Sequence, residues 1–401
     1  MQYVLGNMLN GGGGLNADGL SLDLQFAADK TMTARKGPTP VFTRGSTGTF
    51  VGSNGLIQSA ATNIPRFDHT SAGVCRGLLI EESRTNLFTQ SETWASGANF
   101  TGPSAPTVTP NTTNAPDGAL TADTLTGSIG TATDGSVTST WRQPTVSSST
   151  AYTFSIYVRS LGVATKAEIR IRDNSSGASV QTLDTTLTSS WKRLSVTATT
   201  GGSTTSIRCI IQNTDGPIAI WGAQLEAGSF PTSYIPTTTG SVVRSADVCS
   251  ITGANFSGMW NQSEGTLLTQ TQKTSTNSNA FVISASDNSF NNETDLRYNS
   301  VSQVAALINV SGASQLTGFQ ANITSGAAVK QSIAYKLNDC AYAANGASPI
   351  VDTSALIPTV DRLTIGNVAV AGQAFYLNGT IAAIRYYRKR LSNAKLQALT
   401  V

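Results

Sequence analysis

Charge is what this sequence has least of. Of its 401 residues only 12% are Asp, Glu, Lys or Arg, about half the ~25% usual for a folded chain, and the formal net charge is +3. That balance provides no basic face or stripe to hold a phosphate backbone. The one local cluster, Arg385, Arg388, Lys389 and Arg390 interleaved with Tyr386 and Tyr387, fits the solvated end of a strand, so no nucleic-acid partner is expected. Histidine is scarcer still. His69, in PRFDHT, is the single one, and neither HExxH nor GxSxG surrounds it; it reads as a local hydrogen-bond partner beside Asp68 rather than a base or metal ligand. The four cysteines, Cys75, Cys209, Cys249 and Cys340, form no CxxC pair, which leaves a zinc knuckle unsupported. They are expected as free thiols, with Cys209 on a buried strand face beside Ile207 and Ile211. No apolar run approaches the ~18 residues of a membrane helix. Residues 1–10 lack a basic start followed by an apolar core, so neither membrane insertion nor a secretory leader is expected, and folding in a cytoplasm is. The glycine run at 11–14 has no following Lys-Ser/Thr and so makes no phosphate cradle. No cofactor and no metal are assigned; Glu226 is a conceivable calcium ligand, but no second acidic residue can be placed beside it.

What is present is alternation. In AYTFSIYVR, Tyr152, Phe154, Ile156 and Val158 point one way and Thr153, Ser155, Tyr157 and Arg159 the other, the period of a half-buried strand. AEIRIRD repeats it with Ile169 and Ile171 inside and Glu168, Arg170 and Arg172 outside. WKRLSVTA, SIRCIIQ and IAIWGAQLE follow, separated by DNSSG, TTGGS and NTDGP. Short strands with turn signals at this frequency predict a β-sandwich or jelly roll. Earlier, Leu22, Leu24 and Phe26 alternate with Asp23 and Gln25, and Ser53-Asn54-Gly55 marks a turn between two short strands. Later, GSFPTSYIPTTTG reads as an extended linker that packs Phe230 and Tyr234 back onto a neighbour, and a second set of strands runs from EGTLLTQTQ to GTIAAIRYYR. The closing LSNAKLQALT suits a short helix with Ser392 as N-cap and Leu396 and Leu399 on one face. The expected fold is all-β: a small N-terminal β region at 1–84, a sandwich at 85–240 and a second jelly roll at 241–401.

In GLLIEESRTNL two adjacent carboxylates, Glu81 and Glu82, follow an apolar run, with Arg84 two positions on. Neighbouring side chains on a strand face opposite ways, so the two cannot flank one glycosidic bond, whereas Glu82 and Arg84 share a face. An ion pair at a structural seam is the reading favoured over paired acid chemistry. A glycosidase needs only two carboxylates from distant strands, and Glu168, Asp173, Asp184 and Glu226 are formally available for that.

The stretches VFTRGSTGTFVGSNGLIQSAATNIPRFDH, GLLIEESRTNL and IAIWGAQLEAGSFPTSYIPTTTGSVVRSADV resemble a module of tail fibres and adhesin-like virion proteins of tailed bacteriophages, with a carbohydrate-binding-module-like sandwich. YLNGTIAAIRYYRKRLSNAKLQAL is similar to the end of a concanavalin-A-like or laminin-G-like jelly roll. The resemblance runs from about residue 20 to the end. It implies a virion protein, assembled in the host cytoplasm, in which 1–84 attaches to other virion proteins and the sandwiches bind a host cell-surface glycan. It also implies a homo-oligomer, by analogy a trimer, without catalytic role. The alternatives are a purely structural head fibre, collar or decoration protein, or a polysaccharide depolymerase. A pyranose stacks its apolar face on an exposed aromatic ring. Trp141 is accordingly the first candidate, with Arg142 and Gln143 as hydroxyl partners, and Trp191 the second; Trp141 as a lid on the core is the competing role. Trp221, in IAIWGAQL, reads as core.

Overall fold

The computed structural model describes residues 19–101, 106–127, 139–164, 166–213, 215–273, 275–370 and 373–401. The fold is all-β. Every strand pairing is antiparallel, and helix among the described residues is confined to three short pieces, Phe26–Asp29, Gly253–Met259 and Asn393–Thr400. The last of these is capped where expected, the Ser392 hydroxyl accepting from the Lys395 amide at 3.3 Å with Leu396 fully buried.

Two sandwiches carry the structure. In the middle one, a five-stranded sheet ordered Lys192–Thr199, Ala151–Ser160, Ile218–Ala227, Ala122–Thr126, Thr107–Thr113 faces a second, ordered Ser179–Asp184, Ala167–Asp173, Ile207–Asn213, Ser139–Arg142, Asn99–Thr101. Phe154, Ile156 and Val158 from one sheet meet Ile169, Ile171, Cys209 and Ile211 from the other, and all are buried. Each such side chain contributes roughly 1.5–3 kcal/mol. The Cys209 thiol is free, and burial pushes its pKa far up, so it is an inert core group. The linker side chains Phe230 and Tyr234 do turn inward, with Tyr234 4.5 Å from Trp221 between ring centroids.

The second sandwich is where the division drawn from sequence at residue 84 parts from the sheets. Its larger sheet runs Ile350–Asp352, Cys340–Ala344, Ala328–Lys336, Glu264–Lys273, Gly379–Tyr387, Cys75–Ile80, Phe67–His69, and Leu20–Leu24 also pairs with Gly379–Tyr387. The facing seven-stranded sheet begins with Val41–Thr43, paired to Val248–Thr252. Leu22, Leu24, Leu78 and Ile80 share one core with Leu267, Ile333 and Tyr386. Alternation marks a strand but carries no information on its partner, which is why this first segment reads as a separate region in sequence and is part of the distant sandwich in space. The middle sandwich is thus an insertion. Its chain leaves through Arg84–Asn86 and returns through Val242–Arg244, and these two strands pair with each other as a neck, Arg84 opposite Arg244.

At the neck lies the seam. Glu81 is buried, its Oε2 taking Arg66 at 2.7 Å and the Ser233 hydroxyl at 2.7 Å, and its Oε1 the Ser233 amide at 2.7 Å. Asp247 holds Arg66 at 2.5 Å and Arg44 at 3.2 Å. Burial alone would raise the Glu81 pKa, but Arg244, Arg66 and the Ser233 donors overcome it and hold the group at about 2. Glu82 points the other way and accepts from Arg84 Nε at 2.6 Å.

Candidate functional site

Trp141 stands half-buried on Ser139–Arg142, opposite Ile210 and Asn99. The Arg208 guanidinium lies 4.1 Å from its ring centroid, where a stacked sugar would compete with it. Gln143 is exposed and donates to the Ser206 hydroxyl at 3.2 Å. Arg142 departs from expectation. Being next to Trp141 on a strand, it points to the opposite face; it is buried over Phe88 and donates to the Thr89 carbonyl at 2.6 Å. It therefore cannot orient hydroxyls beside Trp141. Trp191 immediately precedes Lys192–Thr199 of the other sheet, with Arg159 5.0 Å over its ring and Nε1 donating to the Asn114 carbonyl at 3.2 Å. The two tryptophans thus belong to different sheets and form no common site. Trp221 is core, 2% exposed. Glu226 is buried and accepts from the Thr232 amide at 3.0 Å. His69 hydrogen-bonds locally, its Nδ1 donating to the Val51 carbonyl at 3.0 Å rather than meeting Asp68.

The structure gathers a different set. A cleft of about 550 Å³ opens where the two sandwiches meet at the neck. Its floor is the outer face of the larger sheet, with Gln272, Thr380 and Leu79 side by side in register on three adjacent strands. One wall is the outer face of the middle sandwich, where Tyr157 and Arg193 are cross-strand partners and the guanidinium lies 5.3 Å over the tyrosine ring. The other wall combines the hairpin Gly48–Val51 and Ile57–Ala60, which brings Phe50, with the linker residues Phe230 and Ser233. Asp68 and Arg76 sit at one side, 3.6 Å apart, and Asp68 also accepts the Val51 amide at 2.8 Å.

Three buried donors of the lining have no partner among the described residues: the Thr380 hydroxyl, Arg76 Nε and Arg193 Nε. A buried polar group without a partner costs about 1–3 kcal/mol; these atoms are covered, so a polar ligand would relieve that cost only as the side chains turn toward the cleft. Burial raises the Asp68 pKa, against the Val51 amide and Arg76, and burial pushes the Tyr157 hydroxyl up as well. Rings, hydroxyls and guanidinium groups converging on a space of this size can hold a small polyhydroxylated molecule. Of this lining, sequence reasoning weighs only Glu81 for chemistry and gives Asp68, Tyr157, Phe230 and Tyr234 local or packing roles. The others come from segments hundreds of positions apart, and the single local signal, the linker aromatics, gave no hint of a cavity.

No family model matches the chain, and no curated protein matches it. Among solved structures it is similar to the CBM40 of the Ruminococcus gnavus IT-sialidase bound to α2,3-sialyllactose, at 18% identity over 36% of this chain and 86% of that one, TM-score 0.32. It is also similar to the K499G mutant of NanB sialidase from Streptococcus pneumoniae, at 16% identity over 37% of this chain and 26% of that one, TM-score 0.32. A leech intramolecular trans-sialidase stands at 18%, 38% and 26%, with TM-score 0.32. The chain thus spans about a quarter of the two enzymes, and the likeness concerns the sandwich fold alone. It does correct one expectation. Because the neighbours in fold are sialidases and a trans-sialidase, the absence of a catalytic role no longer follows from the architecture and is withdrawn.

Proposed function

We propose that this chain binds glycans through the cleft at the neck, as a host-attachment protein of a tailed-phage particle. The observation that carries the binding part is the cleft itself: a ligand-sized space at a junction of two sandwiches, floored and walled by Thr380, Gln272, Tyr157 and Phe50, with three buried donors unpaired among the described residues. The fold of the neighbouring CBM40, a structure with sialyllactose bound, is compatible with that use. The particle role rests on the resemblance of the stretches at residues 41–69, 77–87 and 218–248 to adhesin-like virion modules. In it, the first strands attach to other virion proteins, and a homotrimer multiplies weak contacts into avidity.

The test is binding of the full chain to purified surface polysaccharides and to whole cells. Gln272→Ala and Phe50→Ala are expected to weaken binding about tenfold, the effect of losing one stacked ring or a paired hydrogen bond, and Trp141→Ala to leave it unchanged. Loss of binding with Trp141→Ala alone would move the site to the outer sheet face. Locating the chain in an intact particle tests the attachment role.

A further inference from the structure

We propose that the cleft selects a sugar carrying a carboxylate, a hexuronate in its pyranose form, over the neutral hexose of the same stereochemistry; this rests on the reading of the cleft as a glycan site. The argument is one of unbalanced charge. Arg193 lines the cleft with no carboxylate paired to it among the described residues: its terminal nitrogens donate to the Thr232 carbonyl at 2.6 Å and the Ser155 hydroxyl at 2.9 Å, and Nε has no partner. Arg76 is 38% exposed and meets Asp68 only at 3.6 Å, too long for a hydrogen bond, with its Nε also unpaired. Of the carboxylates in the lining, Glu81 has both oxygens engaged by Arg66 and Ser233. Asp68 accepts the Val51 amide and lies 3.6 Å from Arg76. The cleft therefore presents one guanidinium group, Arg193, that faces no carboxylate among the described residues, and a second, Arg76, that is only loosely paired.

The neutral part of a pyranose is served by the remaining lining. Phe50, half-buried in the lining, offers a ring face. The Thr380 hydroxyl, buried and without a partner among the described residues, and Gln272 beside it, whose amide nitrogen already donates to the Gly326 carbonyl, are the hydroxyl partners on the floor. A carboxylate on such a ring would exchange water for charge-assisted hydrogen bonds to the two guanidinium groups, which are about twice as strong as neutral ones.

Calorimetric titration of the full chain with glucuronate and galacturonate, each beside glucose and galactose, decides the matter. The acids are expected to bind at least about tenfold tighter than their neutral counterparts. That preference should shrink as salt rises and disappear in Arg76→Gln. Thr380→Val should weaken acid and neutral sugars alike, and both variants should melt with the wild type. Equal affinity for acid and neutral sugars, weakened by Thr380→Val, would overturn the carboxylate preference and leave the cleft as the site. Acid-selective binding that survives both substitutions would place the sugar elsewhere and overturn the cleft reading. No binding of any of the four at millimolar concentration would overturn both.

Discussion

Gly77 has a φ of 111°, and a Cβ there would collide with the carbonyl of Ile381 on the neighbouring strand. Gly77→Ala is expected to cost about 1–3 kcal/mol from the backbone alone, more once the sheet gives way; a urea midpoint equal to that of the wild type would refute this. Two glutamates predict opposite pH effects. Glu81 is held at about 2 against an ordinary 4.5, so its contribution is complete above 4.5 and disappears as pH falls toward 2. Glu293 is pushed up to about 8, first by burial and then by the charge of Asp295, whose carboxylate already takes Arg297 Nε at 2.8 Å while Glu293 Oε2 has no partner. The folded state then holds a proton that the unfolded chain releases, so stability falls as pH rises from about 4.5 to about 8. Melting temperatures across that range should decline in the wild type and flatten in Glu293→Gln; parallel profiles would remove Glu293 as the cause.

Among the elements, the neck strands and what surrounds them separate two kinds of ion pair. Asp247 is fully buried between Arg44 and Arg66, and Asp247→Ala should cost about 3–5 kcal/mol by stranding two cations. In the Glu82–Arg84 pair Arg84 is buried but Glu82 is partly exposed, and Glu82→Ala should cost less, about 1–3 kcal/mol. Denaturation of the two variants side by side checks the contrast, and similar losses would contradict it. The second pair was legible because its members are two positions apart on one strand. The first was not, since Arg44, Arg66, Glu81, Arg244 and Asp247 come together only through sheet pairing between the two ends of the chain. The same limit governs the sheets. Tyr152 to Val158 and Ile169 to Ile171 announce buried faces in their spacing. By contrast Glu168 and Arg170, assigned to solvent, are 2% and 5% exposed, because they pair with each other on that outer face.

For the molecule as a whole, an inserted middle sandwich means that residues 19–84 and the described part of 241–401 form one folding unit. Residues 87–241 have a core of their own and are expected to fold in isolation with cooperative melting. A fragment beginning at 241 lacks Leu20–Leu24, Val41–Thr43, Phe67–His69 and Cys75–Ile80 from its sheets and is expected to aggregate. A well-dispersed amide spectrum from that fragment would contradict the shared core.

The neck makes the middle sandwich a cartridge. Its entry and exit strands lie side by side, so a different module with neighbouring ends could be spliced at the same socket without disturbing the host scaffold. Tyr157 and Arg193 would leave with the cartridge while Thr380 and Gln272 stayed behind. One recombination event would therefore redraw part of the cleft's lining and keep the rest, changing what the cleft could hold without rebuilding its floor.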